Sequence, residues 1–190
     1  VAMIQVKEIL EGRCSGQQEV TVTGWVKTKR DSKSVTFVHI NDGSTFDSVQ
    51  LVFQRDSNEQ GGLEKITVGA SLQAKGVLVE SAGAEQSYEI QVNEFSVLGE
   101  CDAVEYPLQK KKHSFEFLRE IGHLRSRTNT FNAVFRVRSE LSYATHSFFR
   151  KQNFYHVHTP IITAADCEGA GEQFTVTLHN PESKKPYVAS

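Results

Sequence analysis

The chain has 190 residues, 38% of them hydrophobic, and a formal net charge of −2 at pH 7. That hydrophobic fraction excludes a disordered chain, and the length suits one domain or a small domain joined to part of another. The near-neutral charge excludes a protein that is basic throughout, so any surface that binds nucleic acid has to be local.

The cysteines indicate free thiols in a reducing compartment. They are odd in number, lie far apart and form no CxxC pair: Cys14, Cys101 and Cys167. Because the spacing of metal ligands is missing, we expect no metal site. No apolar run approaches the ~20 residues of a membrane helix, so we expect no membrane partner. Residues 1–4 do not resemble a targeting peptide, which favours the cytoplasm; a mitochondrial or plastid location after removal of a presequence stays open.

Residues 1–100 carry the period-two alternation of β-strands, in which every second side chain is apolar and one face is buried. Gly24 occupies one place in such an apolar register. Residues 41–43, Asn-Asp-Gly, predict a turn because these residue types tolerate positive φ. The predicted strands cover residues 20–27, 35–40, 49–53, 71–80 and 87–98.

Five short strands, with a break between the third and the fourth, match the five-stranded oligonucleotide-binding (OB) barrel. On periodicity alone, another small barrel or a sandwich is the alternative. We predict an α+β protein in three parts: an OB-fold barrel over residues 1–100, a linker over residues 101–127 and the beginning of a second domain over residues 128–190.

Two helices are predicted in the second half of the chain. Ser114 is expected to cap a short helix over residues 114–121. Thr128 or Asn129 is expected to cap a long helix over about residues 131–152, where apolar residues recur at spacings of three and four. The following segment is predicted to be extended, because Pro160 forbids a helix there.

The outward face of the barrel is the first candidate site. The alternation turns Trp25, Phe37 and Gln50 outward. Single-stranded bases stack on such aromatic side chains, and the Gln50 amide carries both a donor and an acceptor for a base edge. Nearby cations that suit phosphates are Lys27, Lys29 and Arg30. The alternative is that Trp25 packs under a loop or on the second domain and that Gln50 is merely solvated.

The long helix and the extended segment after it form the second candidate. A broad apolar helix face that includes Leu141 and Phe148, followed by a segment with Pro160, suits a subunit interface. Ordinary core packing within one chain is the alternative. His156 and His158 point to one side of this segment, but a third metal ligand is not evident, so a structural role is the simpler interpretation.

The third candidate is a loop in which Glu168 and Glu172 flank the residues Gly-Ala-Gly. Two carboxylates with small residues between them suit an ammonium group or a metal ion, and closely spaced glycines let the backbone approach a ligand. Glutamates on loops are usually solvated, which is the alternative here.

Together these features resemble the class II aminoacyl-tRNA synthetases of the aspartate, asparagine and lysine group, and bacterial and organellar members are the most similar. In the barrel the similar residues are Gly24-Trp25-Val26, Lys29-Arg30-Asp31, Val35-Thr36-Phe37 and Val49-Gln50. Further similar segments are residues 117–119, residues 124–129 and, for the first class-defining motif, residues 154–162 with Pro160. Residues 163–174 are closer to asparagine enzymes, because aspartate enzymes usually carry an Arg-Asp pair where this chain has Gly171-Glu172.

The resemblance implies roles for residues of the barrel face. It implies that Phe37 stacks on the middle anticodon base, a uridine, that Gln50 hydrogen-bonds this base and that Arg30 contacts the same region. Trp25 belongs to the same expected anticodon-binding face. The partner is then the tRNA for asparagine.

The resemblance also implies the rest of the activity, an ATP-dependent attachment of asparagine to its tRNA that uses Mg²⁺. Glu168 is expected to help bind the ammonium group of asparagine, and Pro160 with the preceding helix to form a homodimer interface. Residues 128–190 then hold the first helix and strand of a truncated catalytic domain. Since the second and third class-defining motifs are missing, we expect no catalytic residue, no bound cofactor and no activity of these 190 residues alone. A non-catalytic RNA-binding module and an aspartate-specific relative stay open as alternatives.

Overall fold

The computed structural model describes residues 3–14, 16–54, 62–81, 87–162, 177–179 and 186–188. The chain divides into two compact units, Val1–Glu140 and Leu141–Ser190, and the division falls within one long helix. The boundaries expected at residues 100 and 127 concern the change from barrel to linker to second domain, and they stay predictions.

A closed five-stranded barrel forms most of the first unit. Its strands are β1 (Glu19–Asp31), β2 (Val35–Asn41), β3 (Val49–Gln54), β4 (Ser71–Glu80) and β5 (Tyr88–Gly99). Around the barrel they follow the order β1-β2-β3-β5-β4, and each neighbouring pair is antiparallel except β3 with β5, which is parallel. The predicted five-stranded barrel is therefore confirmed.

The barrel core is built by the predicted alternation. Val22, Val38 and Leu51 are fully buried, and each apolar side chain removed from water contributes about 1.5–3 kcal/mol. A five-residue helix, α1 (Val6–Leu10), adds Val6 and Ile9 to the same core. Helix α1 was not predicted from the sequence, because five residues are too few for a helical period to be recognised.

Gly24 and Asn41 let β1 pass close to the turn after β2. A Cβ atom on Gly24 would lie 2.8 Å from the backbone oxygen of Asn41, so only glycine fits this place in the buried register. The buried Asn41 amide donates to the backbone oxygen of Asp47 (2.6 Å) and accepts from the backbone nitrogen of Gly43 (2.8 Å). Gly43 has a φ of 84°, which confirms the turn predicted over residues 41–43.

A β-bulge in β1 changes which of its side chains face outward. The register with β2 shifts between Val26, which is buried, and Thr28. Beyond the bulge Thr28 pairs with His39 and Arg30 pairs with Phe37, so both β1 residues lie on the outer face. Without the extra residue, the alternation that buries Val22 and Val26 would turn Thr28 and Arg30 inward.

Both predicted helices are present. α2 (Phe115–Glu120) begins at Ser114, whose hydroxyl accepts from the backbone nitrogen of Phe117 at 3.3 Å. α3 (Asn129–Lys151) follows Thr128, whose hydroxyl accepts from the backbone nitrogen of Phe131 at 3.4 Å. Thr128, rather than Asn129, is therefore the cap, and Asn153 follows the helix with a φ of 65°.

The first turns of α3 are fastened to the barrel. The Lys27 ammonium donates to the Asn129 side-chain oxygen at 3.0 Å. The Arg136 guanidinium donates to the backbone oxygen of Gly43 and lies over the Phe46 ring, 5.2 Å from its centroid. These contacts hold the start of α3 against β1 and against the loop between β2 and β3.

In the second unit, residues 154–162 are not helical, as expected for a segment with Pro160, but they do not form the strand that was expected there either. A short antiparallel pair, β6 (Thr177–His179) and β7 (Pro186–Val188), follows. Among the helices that the structure describes, none combines the length and apolar character needed to cross a bilayer.

Candidate nucleic-acid interface

Two rows of side chains cross the outer face of β1, β2, β3 and β5. The Phe37 row consists of the cross-strand partners Arg30, Phe37, Val52 and Gln91. The Gln50 row consists of Thr28, His39, Gln50 and Glu89. Residues two apart on a strand point to the same face, so the rows are neighbours, separated by about 6.6 Å along each strand. They bring together three of the four residues that were predicted to bind the anticodon.

The Phe37 row provides an aromatic platform beside a cation. The Phe37 ring is partly exposed, and the Arg30 guanidinium carbon lies 4.9 Å from the ring centroid. A cation in this position gains about 0.5–1 kcal/mol from the ring and stays available to a phosphate. Arg30 therefore supplies positive charge at the place where a stacked nucleotide would carry its phosphate.

The Gln50 row provides hydrogen-bonding groups in a defined orientation. The Gln50 amide nitrogen donates to the Glu89 carboxylate at 3.0 Å. The Ser81 hydroxyl donates to the same carboxylate oxygen at 3.1 Å, which holds Glu89 in place. Because an ionised carboxylate only accepts, this contact sets the amide with its nitrogen toward Glu89 and leaves its oxygen as an acceptor.

His39 lies in the same row, between Thr28 and Gln50. Its Nδ1 atom is 2.8 Å from the Thr28 hydroxyl, so the ring is held from the β1 side. The ring is partly exposed, two residues along β2 from Phe37. The outer face therefore carries a flat aromatic surface, a fixed amide and a carboxylate, which is the set of groups that reads an unstacked base.

The other cations expected on this face point elsewhere. Lys29 pairs with the buried Val38, and its ammonium donates to the backbone oxygen of Leu63 at 2.6 Å. Lys27 is engaged with Asn129, and burial lowers the pKa of its ammonium while the Asp47 carboxylate opposes this shift. Of the three cations named from the sequence, only Arg30 stands in either row.

Trp25 lies apart from Phe37 and Gln50. It pairs with Asn41, four residues along β2 from Phe37, and the Arg127 guanidinium lies over its ring, 4.6 Å from the centroid. The indole is 42% exposed and lines a cavity of about 470 Å³, with Tyr106 among the other lining residues. This placement agrees with the alternative in which Trp25 packs against a neighbouring segment, and its role in anticodon binding stays a prediction.

The predicted interface residues are exposed in the second unit. Leu141 is 62% exposed and Phe148 is 59% exposed, and Pro160 is exposed as well. Other large apolar side chains exposed in this unit are Tyr143, Phe149, Phe154, Tyr155, Val157, Ile161 and Ile162. Such a concentration of exposed apolar side chains is typical of a surface that further protein covers, either within one chain or in a partner.

The remaining candidates concern ligands for metals and ammonium groups. Glu168 and Glu172 lie outside the described residues, so the structure gives them no geometry. The His156 ring packs against the His146 ring, with centroids 4.5 Å apart. Within the described ranges, no group of three or more His, Cys, Asp or Glu side chains is placed to hold a metal ion. Cys14 and Cys101 are free thiols, and burial raises the pKa of each.

In the Gln50 row, three residues were not singled out from the sequence: Thr28, His39 and Glu89. The alternation of β2 placed His39 on the side of Phe37, so a signal for it was present. Glu89 reaches Gln50 only because β3 and β5 pair in parallel, across 39 residues of sequence. No local pattern predicts that register, and the bulge that turns Thr28 outward has no local signal either.

Comparison with known families agrees with this architecture. The profile of the family described as "OB-fold nucleic acid binding domain" matches residues 20–98. The profile described as "tRNA synthetases class II (D, K and N)" matches residues 114–189. The two matches follow one another along the chain and cover the barrel and the helical part.

Two curated relatives of high sequence identity are asparagine--tRNA ligases. The asparagine--tRNA ligase of Treponema denticola is 50% identical over 181 residues, which is 93% of this chain and 38% of that protein. The asparagine--tRNA ligase of Bacteroides fragilis is 56% identical over 161 residues, which is 85% of this chain and 34% of that protein. The chain thus spans a little over a third of the length of these relatives.

Solved structures share the fold. The asparaginyl-tRNA synthetase of Pyrococcus horikoshii, complexed with asparaginyl-adenylate, matches all of this chain and 43% of its own, with a TM-score of 0.78 and 22% identity. The asparaginyl-tRNA synthetase of Entamoeba histolytica matches 98% of this chain and 42% of its own, with a TM-score of 0.70. From its two consecutive family matches and its relatives, the chain is similar over most of its length to the class II tRNA synthetases of the aspartate, lysine and asparagine group.

Proposed function

We propose that this chain recognises the anticodon of a tRNA and contributes a subunit interface in an asparagine–tRNA ligase. The observation that carries the anticodon assignment is the fixed Gln50 amide one row from the Phe37 ring, on the outer face of an OB-fold barrel. The asparagine specificity rests on relatives of which the chain spans only part.

The orientation of Gln50 favours uridine as the base that it reads. On its Watson–Crick edge, uracil presents the N3–H donor between two carbonyl acceptors. The Gln50 oxygen accepts from N3–H, while the second hydrogen of its amide nitrogen donates to a carbonyl. Cytosine has an acceptor at N3, which would oppose the Gln50 oxygen, so the same geometry disfavours cytosine. Phe37 supplies the stacking surface for this base.

Binding of anticodon stem-loops tests this proposal. Four stem-loops that differ only in the middle anticodon base are titrated with the chain at one stated salt concentration. We expect the tightest binding with uridine, and we expect Gln50→Ala to remove the preference. Gln73→Ala, on β4 outside the two rows, is the matched control and is expected to retain it. Equal affinity of the unchanged chain for all four stem-loops would contradict the proposal.

The remaining parts of the activity concern the whole ligase. We propose ATP and Mg²⁺ as its co-substrate and metal, because class II synthetases use both, and asparagine as the amino acid. Glu168, which lies outside the described residues, is proposed to help bind the ammonium group of asparagine. No described residue is assigned to ATP or to the metal.

The proposed second partner is another copy of the chain. The exposed apolar surface around Leu141, Phe148 and Pro160 supports this part of the proposal. A two-fold dimer places the same patch on both subunits, so one apolar surface is sufficient to build the contact.

A further inference from the structure

His39 has no role in the function proposed above, although it stands at the centre of the binding face. It is partly exposed and lies two residues along β2 from Phe37. Its cross-strand partner on β3 is Gln50, the residue that is assigned to read the base. Directly opposed residues in an antiparallel pair have Cβ atoms about 4.5–5.5 Å apart, so His39 lies next to the base that Gln50 binds.

The His39 ring is held in one orientation before any RNA arrives. Its Nδ1 atom is 2.8 Å from the Thr28 hydroxyl on one side, and the Gln50 side chain, itself held by Glu89, stands on the other. A ring that is already ordered loses little conformational entropy when a ligand binds to it. Proteins that bind single strands stack bases on histidine as well as on phenylalanine, tyrosine and tryptophan.

We propose that His39 is a second stacking platform, which receives one of the two nucleobases that flank the base on Phe37. The two residues lie on the same face of one strand with their backbones about 6.6 Å apart, so their rings can serve successive nucleotides of a splayed loop. The Arg30 guanidinium lies over one face of the Phe37 ring. His39 is the other aromatic side chain of the two rows. This inference rests on the proposed function, because it requires an anticodon loop on this face.

A structural role for His39 is the competing explanation. In that case the imidazole only supports Thr28 beside the bulge, and the hydrogen bond, rather than the ring, is what matters. Three variants separate the two roles. His39→Phe keeps a flat ring and loses the hydrogen bond, His39→Gln keeps hydrogen-bonding groups and loses the ring, and His39→Ala loses both. Thermal unfolding of each variant shows whether the barrel remains folded.

The test measures binding of stem-loops with a uridine in the middle of the anticodon. We expect about a fivefold loss of affinity or more for His39→Ala and His39→Gln, the lower end of the effect of one lost stack. His39→Phe is expected to stay within about twofold of the unchanged chain, since one ring replaces another. In a second set of stem-loops, one of the two flanking nucleotides is abasic. Removing the base that stacks on His39 is expected to abolish the penalty of His39→Ala.

Two results would overturn the inference. One is a loss of affinity for His39→Phe with none for His39→Gln, which would assign His39 to the hydrogen bond. The other is a penalty for His39→Ala that persists whichever flanking base is removed. Phe37→Ala, measured in parallel, tells the two proposals apart. If Phe37→Ala weakens binding and His39→Ala does not, only this inference fails. If neither variant weakens binding, the anticodon assignment is contradicted as well.

Discussion

The outer face of the barrel and the exposed surface of the second unit both present aromatic side chains to solvent, but in different surroundings. On the barrel, Phe37 stands beside an arginine and one row from a hydrogen-bonded amide and carboxylate. In the second unit, the rings of Phe149 and Phe154 pack against each other, with centroids 5.5 Å apart, and Tyr155 nearby is 94% exposed.

This difference indicates different partners. An aromatic ring among fixed polar groups suits a ligand that has both a flat face and a hydrogen-bonding edge, such as a nucleobase. A broad apolar surface with few charges suits another protein chain, because removing its area from water provides most of the binding energy. Exposure alone therefore does not predict a partner; the polar groups next to the exposed ring do.

The largest expected effect concerns the second unit. Leu141→Asp or Phe148→Asp in the whole ligase would place an unpaired charge in the proposed dimer contact, at a cost of about 3 kcal/mol or more per contact. That corresponds to a dissociation constant raised about a hundredfold or more. Ser139→Asp lies on the opposite side of α3, given 3.6 residues per turn, and is the matched control. Sedimentation at graded concentrations measures the monomer fraction, and an unchanged dimer in both interface variants would favour core packing within one chain.

The next effect concerns the polar groups on the barrel. Glu89→Gln replaces an acceptor by a group that also donates, so the Gln50 amide is no longer set in one orientation. We expect the preference for uridine over cytosine to fall by about 1 kcal/mol, while binding to the uridine stem-loop falls less. Glu94→Gln, also on β5 and exposed, changes the same charge without touching Gln50. If both variants kept the full preference, Glu89 would not position the amide.

The residues of the barrel face also illustrate what the sequence could predict. Phe37 and Gln50 follow from strand alternation, and the five strands and both longer helices were placed within two residues except at the C-terminal end of β1, because local periodicity determines them. Glu89 does not follow, because it meets Gln50 through a parallel pairing between strands that are distant in sequence. Arg30 was named from its charge, whereas its place over Phe37 depends on the bulge after Val26.

The predicted role of Trp25 shows the reverse situation. Alternation correctly turns the indole outward, but it does not reveal what packs on the outside. Arg127, about a hundred residues later, lies over the ring. Contacts of this kind depend on where the segment after the barrel returns, which strand periodicity does not encode.

A smaller effect is expected for the cation of the Phe37 row. Arg30→Ala removes one positive charge and the contact with the Phe37 ring, so affinity for a stem-loop should fall by about 1 kcal/mol at low salt. The slope of log affinity against log salt should decrease by about one, since one phosphate contact is lost. Lys33→Ala removes the same charge in the turn between β1 and β2 and should leave both quantities unchanged. An equal effect of the two variants would mean that Arg30 contributes only general electrostatic attraction and no specific phosphate contact.

The smallest expected effect concerns the hydrogen bond between Lys27 of the barrel and Asn129, the first residue of α3. Burial lowers the pKa of the Lys27 ammonium, with Asp47 opposing the shift, and this ammonium donates to Asn129 at the first residue of α3. Because the pKa in the folded state is lower than the 10.5 of a free lysine, the unfolded chain binds the proton more tightly. The cost of the buried charge is therefore fully present below the folded pKa and disappears as the pH rises toward 10.5.

Lys27→Met removes this titration and keeps an apolar stem of similar length. The difference in unfolding free energy between Lys27→Met and the unchanged chain should move in favour of the unchanged chain as the pH rises toward 10.5. Denaturant titrations at several pH values measure this difference. The titration of the other lysines and of the tyrosines contributes equally to the variant and to the unchanged chain, so it cancels in the difference. Lys33→Met, in the turn between β1 and β2, controls for the loss of a charge and should show a smaller change. A difference that stays constant over this range would mean that Lys27 remains solvated in the folded chain. The contact with Asn129 would then be a surface hydrogen bond, and the attachment of α3 to the barrel would depend on Arg136, Gly43 and Phe46 instead.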